Sequence, residues 1–283
     1  MRKILLPTDF SANARNAIDY ALHIFEKEAC IFYVLNSYQV STSRLSNTMN
    51  RAKDTRIFRA IRQESERNVH SLVKELETKN ENELHKFEGL SSFEPLLDAI
   101  GRTTIDKNVS YIFMGTKGSS ALKEVFMGSS TVKVLKNINF CPIIAVPEDY
   151  RYIEPEEIIF ATNFEHVYSK VELIPLIEIA KLWNSKVKIV HVDMGTNLSQ
   201  PQKTSRGLLK ERLKELPLEF REIEGARQIS DTIAEYAKGN KNIGIIAMVN
   251  YWHSFFEKLI KEEVVKKVAF TTEVPFLILP LID

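Results

Sequence analysis

The chain has 283 residues, too many for one small domain and comfortable for two of about 140. It is 44% hydrophobic and 27% charged, so it has cores to bury and is not a disordered tail. With 38 Lys+Arg against 37 Asp+Glu the formal net charge is +1, which excludes a globally basic nucleic-acid coat and a strongly acidic tail.

Chain order begins with Met1-Arg2-Lys3 and the short apolar run Ile4-Leu5-Leu6, stopped by Pro7. That run is shorter than the ~7–15 apolar residues of a secretory leader, and no run reaches the ~18 of a spanning helix. The expectation is therefore no membrane contact. The two cysteines, Cys30 and Cys141, make no disulfide framework and lack metal-ligand spacing, so a reducing cytoplasm is expected. Strand-sized apolar runs lie at about 3–8, 30–36, 83–88, 110–115 and 142–147. They are near-continuous, as in strands buried on both faces. Between them, Ala14, Ala17, Ile18, Ala21, Leu22 and Phe25 mark a helix over 13–25, and Leu96, Leu97, Ile100 and Ile105 mark another within 93–109.

A long helix is predicted from about Arg44 to Thr78, where Phe58, Ile61, Ser65, Val69, Leu72 and Leu76 recur at three- and four-residue steps. Its first half carries Arg44, Arg51, Lys53, Arg56, Arg59, Arg62 and Arg67. This reads as a solvated face, with a docking surface for an acidic partner as the alternative. Nucleic acid is not expected as a partner, since no aromatic platform is interleaved.

The order then repeats. Ile4-Leu5-Leu6-Pro7-Thr8-Asp9-Phe10 resembles Ile158-Ile159-Phe160-Ala161-Thr162-Asn163-Phe164; Tyr111–Met114 resembles Ile245–Met248; Cys141–Pro147 resembles Val274–Pro280. Three matches in order argue for duplication. Strands are predicted near 157–162, 186–192, 218–223, 243–249 and 275–279, with helices near 167–183, 205–215, 226–239 and 256–270. The fold class is α/β: two tandem open five-stranded parallel sheets, Rossmann-like, each of strand order 3-2-1-4-5. The expected domains are 1–149 and 155–283, with Glu148–Glu156 as linker. The last strand of each copy is a short apolar edge that invites pairing. An intramolecular pseudo-dimer in which Cys141–Pro147 meets Val274–Pro280 is therefore predicted, with a further homodimer left open.

After the fourth strand come Gly115 and Gly118, then Gly128-Ser129-Ser130 opening a helical run. Glycines admit a phosphate close to backbone N–H groups, and a helix N-terminus adds unpaired donors. Ser129 or Ser130 is the predicted N-cap. This is no Walker loop, for no Gly-Lys-Ser/Thr follows the spacing. Asp9 ends strand one, and strands one and four are neighbours at the switch point of this sheet, so Asp9 and Gly115 would flank one crevice. The competing reading makes Asp9 a cap for the following helix and the glycines turn punctuation. His23, His70, His85, His166 and His253 show no metal spacing, and His191 reads as a packed core histidine. Trp252 with Phe255-Phe256 reads as core or interface packing.

Both halves resemble universal stress protein domains. The residues that carry the resemblance are Ile4–Ser11, the strand Ile31–Leu35, the spaced Gly115, Gly118, Gly128 and Ser129, and Cys141–Pro147. The resemblance implies an ATP site, with or without Mg²⁺. Asp9 and Val34 would meet the adenine, with Pro7 and Thr8 in the same turn; Gly115 would meet the ribose; Gly118, Gly128, Ser129 and Ser130 would hold phosphates. Lys117 and Lys123 are not required by that motif. The second half departs from it: Val249 and Trp252 replace the first two glycines, Glu262-Glu263 the serine-capped third, and Asn163 replaces Asp9. Bulky side chains and carboxylates there would turn a phosphate away. The expected function is a non-catalytic, ATP-binding stress-response regulator acting on an unknown protein partner. The alternatives are an ATPase or autophosphorylating enzyme using Ser119, Ser120, Ser129, Ser130 or Thr131, and a scaffold without nucleotide. No catalytic or metal-ligating residues are assigned.

Overall fold

The computed structural model describes residues 1–39, 56–116, 128–193, 195, 197–225, 229–249 and 274–282. The first half runs β1 (Arg2–Pro7), α1 (Ala12–Ile24), β2 (Cys30–Ser37), α2 (Arg56–Lys79), β3 (His85–Ser92), α3 (Leu96–Lys107), β4 (Tyr111–Gly115), α4 (Ser129–Asn137) and β5 (Ile143–Val146). The second runs β6 (Glu157–Ala161), α5 (Lys170–Trp183), β7 (Lys186–Asp193), α6 (Gln200–Arg212), β8 (Leu218–Glu224), α7 (Ile229–Lys238), β9 (Ile243–Val249) and β10 (Phe276–Leu279). The predicted helix near 256–270, the first part of the long Arg-rich helix, Lys117, Gly118, Lys123, Trp252, Phe255, Phe256 and Glu262-Glu263 lie outside the described residues.

Local chemistry explains the boundaries. The Ser11 hydroxyl accepts from the Ala14 N–H at 3.2 Å and starts α1. Ser169 and Glu172 form a reciprocal capping box on α5, and Ser199 and Gln202 form another on α6. Asn108 and Asn184 end α3 and α5 in the left-handed conformation, which asparagine tolerates better than most residues.

The strands form one ten-stranded sheet in the order β3-β2-β1-β4-β5-β10-β9-β6-β7-β8. Each half therefore has the order 3-2-1-4-5, and the two are joined at β5 and β10. That pair is antiparallel, with Ala145 opposite Phe276, Ile144 opposite Leu277 and Ile143 opposite Ile278, while every other pair is parallel. Residue alternation sends the strand side chains to two cores. One lies under α1, α2, α5 and α6 and runs unbroken from Leu76 in the first half to Leu209 in the second. The other lies under α3, α4 and α7. Helices on both faces account for the near-continuous apolar strands: every residue of β9 is buried. The outermost strands, β3 and β8, are mostly exposed or half-buried and carry Lys86, Glu88, Glu219, Arg221, Glu222 and Glu224.

The halves also touch beyond the strand seam. Arg2 bridges Glu28 at 2.9 Å and Glu178 of α5 at 2.6 Å, and the Tyr111 hydroxyl donates to Glu178 at 2.9 Å. Trp183 donates its indole N–H to the Ile24 carbonyl at 3.0 Å, with the Lys27 ammonium 3.8 Å over its ring. The linker is laid along α1. Asn16 donates to the Pro147 and Glu148 carbonyls, Tyr20 packs on Tyr150 and Tyr152, and His23 stacks on Tyr152 at 4.7 Å. At its far end Pro155 presses on Gly244, where a Cβ would stand 2.6 Å from the Pro155 Cα.

Candidate functional site

The candidate site lies where β1 and β4 end side by side, at the switch point of the first half's strand order. Pro7 closes β1, and the chain then turns sharply through Phe10, whose φ is +62°. Thr8 pins that turn three ways. Its N–H donates to the Leu35 carbonyl at 2.8 Å, its hydroxyl accepts the Phe10 N–H at 2.9 Å, and its carbonyl accepts the Asn36 side-chain amide at 2.7 Å. Asn36 is itself buried and takes a hydrogen bond from Ser65 of α2 at 2.7 Å. Asp9 is exposed at the tip, and its Oδ1 accepts the Ser11 N–H at 3.1 Å. Asp9 thus braces the residue before the helix, while Ser11 is the cap.

Gly115 forms the other lip. It is buried, and the Thr131 hydroxyl donates to its carbonyl at 3.0 Å. The Gly128 N–H donates to the Thr116 carbonyl at 2.7 Å, so the two ends of the stretch between them are fastened together. One expectation is corrected here. The N-cap of α4 is Gly128, not Ser129 or Ser130; its backbone is extended (φ −67°, ψ 153°) and its carbonyl accepts the Val132 N–H at 3.0 Å. Tying the Gly128 N–H to Thr116 starts the helix one residue early. Ser129 and Ser130 are exposed in its first turn, where helix geometry leaves the N–H groups without carbonyl partners inside the helix.

Of the residues singled out, Pro7, Thr8, Asp9, Gly115, Gly128, Ser129 and Ser130 lie at this edge of the sheet. Val34 differs: it sits in the ladder between Leu6 and Gly89 with its side chain wholly within the α1-side core. Asn13 and Asn36 escaped the sequence reading, and Thr131 entered it only as a hydroxyl for the alternative enzymatic function. Each is a polar residue in an otherwise apolar stripe, buried to 3%, 8% and 3% exposure. That is the signal that could have found them.

The second half builds the same turn with other chemistry. Phe164 has φ +59°, Thr162 accepts the Phe164 N–H at 2.9 Å, and His191 takes the place of Asn36, its Nδ1 donating to the Thr162 carbonyl at 3.0 Å. Glu165, His166, Val167 and Tyr168 then intervene before the cap at Ser169. Tyr168 is buried with its hydroxyl 2.5 Å from that of Thr162. Glu172, 1% exposed, accepts from Ser169 N–H, Ile282 N–H and His166. Burial pushes its carboxyl up, but these hydrogen bonds outweigh it and hold the group below the usual glutamate range. Val249 stands where the first half has Gly115. Among the described residues no cluster of His, Cys, Asp and Glu is suited to a metal ion, and no helix is long and apolar enough to cross a membrane.

The family model described as "Universal stress protein family" matches residues 1–147. Among solved structures the chain is similar to a universal stress protein from Archaeoglobus fulgidus, with a TM-score of 0.68 and 17% identity over 99% of this chain and 97% of that one. It is also similar to a functionally unknown protein from Pseudomonas aeruginosa PAO1, with a TM-score of 0.58 and 12% identity over 99% and 92%. At these identities the likeness is one of fold, and it spans both halves. Among curated proteins no match is found.

Proposed function

We propose, since the chain belongs to the universal stress protein family, that its first half binds ATP at the β1–β4 crevice and that the chain acts as a nucleotide-dependent regulator of a protein partner. The observation that carries this is the fastening of Gly128 to Thr116, which sets the open end of α4 beside the Gly115 lip, on the edge where β1 gives way to the Asp9 turn. An exposed carboxylate and a helix N-terminus at one crevice suit the two ends of a nucleotide: Asp9 to accept from base or ribose, the first turn of α4 to meet phosphate. Asp9, Gly115, Gly128, Ser129 and Ser130 are the residues assigned to it, with Gly118 between. Mg²⁺, if present, would travel with the phosphates and screen their charge. The chain is proposed to divide into units 1–149 and 155–283, of which the first alone binds.

The test is mass spectrometry of nucleotide released from freshly purified protein, then calorimetry with ATP. One ATP per chain is expected, and two equivalent sites would overturn the assignment. A phosphate-release time course with Mg²⁺ separates a binder from an ATPase.

A further inference from the structure

Gly115 needs no Cβ, but conformation is not the reason. Among the described residues the only glycine with positive φ is Gly195. A ligand is not the first thing a Cβ would meet either. Built on Gly115, it would stand 2.7 Å from Cγ of Asn13, and 2.8 Å from both Nδ2 and Oδ1. Real Cβ atoms do not come so close to heavy atoms, so the Asn13 carboxamide lies flat against the Gly115 backbone. Asn13 is 3% exposed and sits in the first turn of α1, two residues past the cap Ser11, which the Asp9 carboxylate braces.

From this juxtaposition we infer that Asn13 is the spacer of the crevice: a positioning residue that fixes the distance between the Asp9 turn and the Gly115 strand end. One end of the spacer is anchored to the Asp9 lip through the start of α1, and the other rests on the Gly115 lip. Thr131 holds that lip from the opposite direction through its carbonyl. The second half shows the same frame without the spacer. There α5 begins only after the intervening Glu165–Tyr168, the residue two past its cap, Val171, is exposed instead of buried, and position 249 carries a valine side chain, 7% exposed, instead of a glycine. Short cap with glycine, or delayed cap with valine, are two ways to fill one space.

The inference rests on the nucleotide reading, and the experiment separates the two. Affinities for ATP and for adenosine, and melting temperatures, are measured for wild type, Asn13→Ala, Gly115→Ala and the double variant. Gly115→Ala forces the Asn13 amide aside and should weaken ATP about tenfold, the scale of overpacking a well-filled site. Asn13→Ala should also weaken it, and adenosine by the same factor as ATP, because the spacer sets the base-and-ribose end of the crevice and not the phosphate end. The double variant should bind better than the product of the two single losses, since the new methyl occupies the space the amide vacated. Wild-type affinity in Gly115→Ala, multiplicative losses in the double variant, or a loss of ATP without loss of adenosine overturns the spacer. If wild type binds no adenine nucleotide, the functional reading fails. The spacer is then judged by melting temperature alone: Gly115→Ala should lower it, and adding Asn13→Ala should recover part of the loss.

Discussion

Thr8 and Thr162 do the same work with different helpers. Each accepts the N–H of a phenylalanine in the left-handed region and offers its carbonyl to a side chain from the next strand, Asn36 in one half and His191 in the other. A bulky residue at positive φ is strained by roughly 1–3 kcal/mol, so the turn persists because these bonds over-determine it. Thr8→Val should remove the hydroxyl bond to Phe10 at nearly constant volume and cost about 1 kcal/mol or more, read as a lower denaturant midpoint. The repeated Thr-Asp/Asn-Phe in the sequence made this turn legible as a repeat. Its partners were not legible, because Asn36 and Ser65 lie far apart in sequence and meet only through folding. Glu172 gives a pH prediction at the same scale. Its carboxyl is held below the unfolded value, so its contribution is present above about pH 4.5 and is lost as pH falls through the lowered folded value. Glu172→Gln should therefore lower the melting temperature at pH 7, and the gap to wild type should shrink on acidification. A gap that widens toward pH 3 would contradict the assignment.

Among the elements, the strands and the β5–β10 seam were legible, and the side-chain contacts that flank the seam were not. Near-continuous apolar runs found the strands buried on both faces, β9 among them, whereas the outermost β3, predicted near 83–88, spans 85–92, because its exposed Lys86, Glu88 and Ser91 leave no apolar run to bound it. The start of α6 was missed by five residues, at Gln200 instead of 205; its first turn, Gln200-Pro201-Gln202-Lys203-Thr204, has no apolar stripe, and only the capping box marks it. The linker was read only as the connection between the two units, yet it docks on α1 through Asn16, Tyr20 and His23, one face of one helix. The Tyr20 ring is 2% exposed, and its hydroxyl has no hydrogen-bond partner among the described residues. Tyr20→Phe should thus be neutral or stabilising by up to about 1 kcal/mol, whereas Tyr20→Ala should cost about 3–5 kcal/mol and open the linker to protease. Thermal melts and limited proteolysis of the two variants check this; a large loss in Tyr20→Phe would show that the hydroxyl is bonded after all.

At the scale of the molecule, one core runs beneath both halves. Ile278 of β10 is 1% exposed and lies opposite Ile143 of β5. Ile278→Lys would bury a charge in that seam, a penalty of several kcal/mol that the group can reduce only by giving up its proton. The expected result is a lower melting temperature together with cleavage between 148 and 156. A variant that melts as wild type would mean that the seam contributes little.

The single covalent chain changes what the β5–β10 seam can be. Two separate copies would pair through identical surfaces, so each substitution would appear on both sides at once. They would also come apart on dilution, whereas here the effective concentration is set by a short tether and no dilution separates the partners. Freed from symmetry, the two faces have diverged. The repeat sets Glu156 where Arg2 stands, opposite in charge, so the Arg2–Glu178 bridge has no mirror image built from the same residues. The seam is directional: the half that keeps the spaced glycines always meets the half that has lost them, never its own twin.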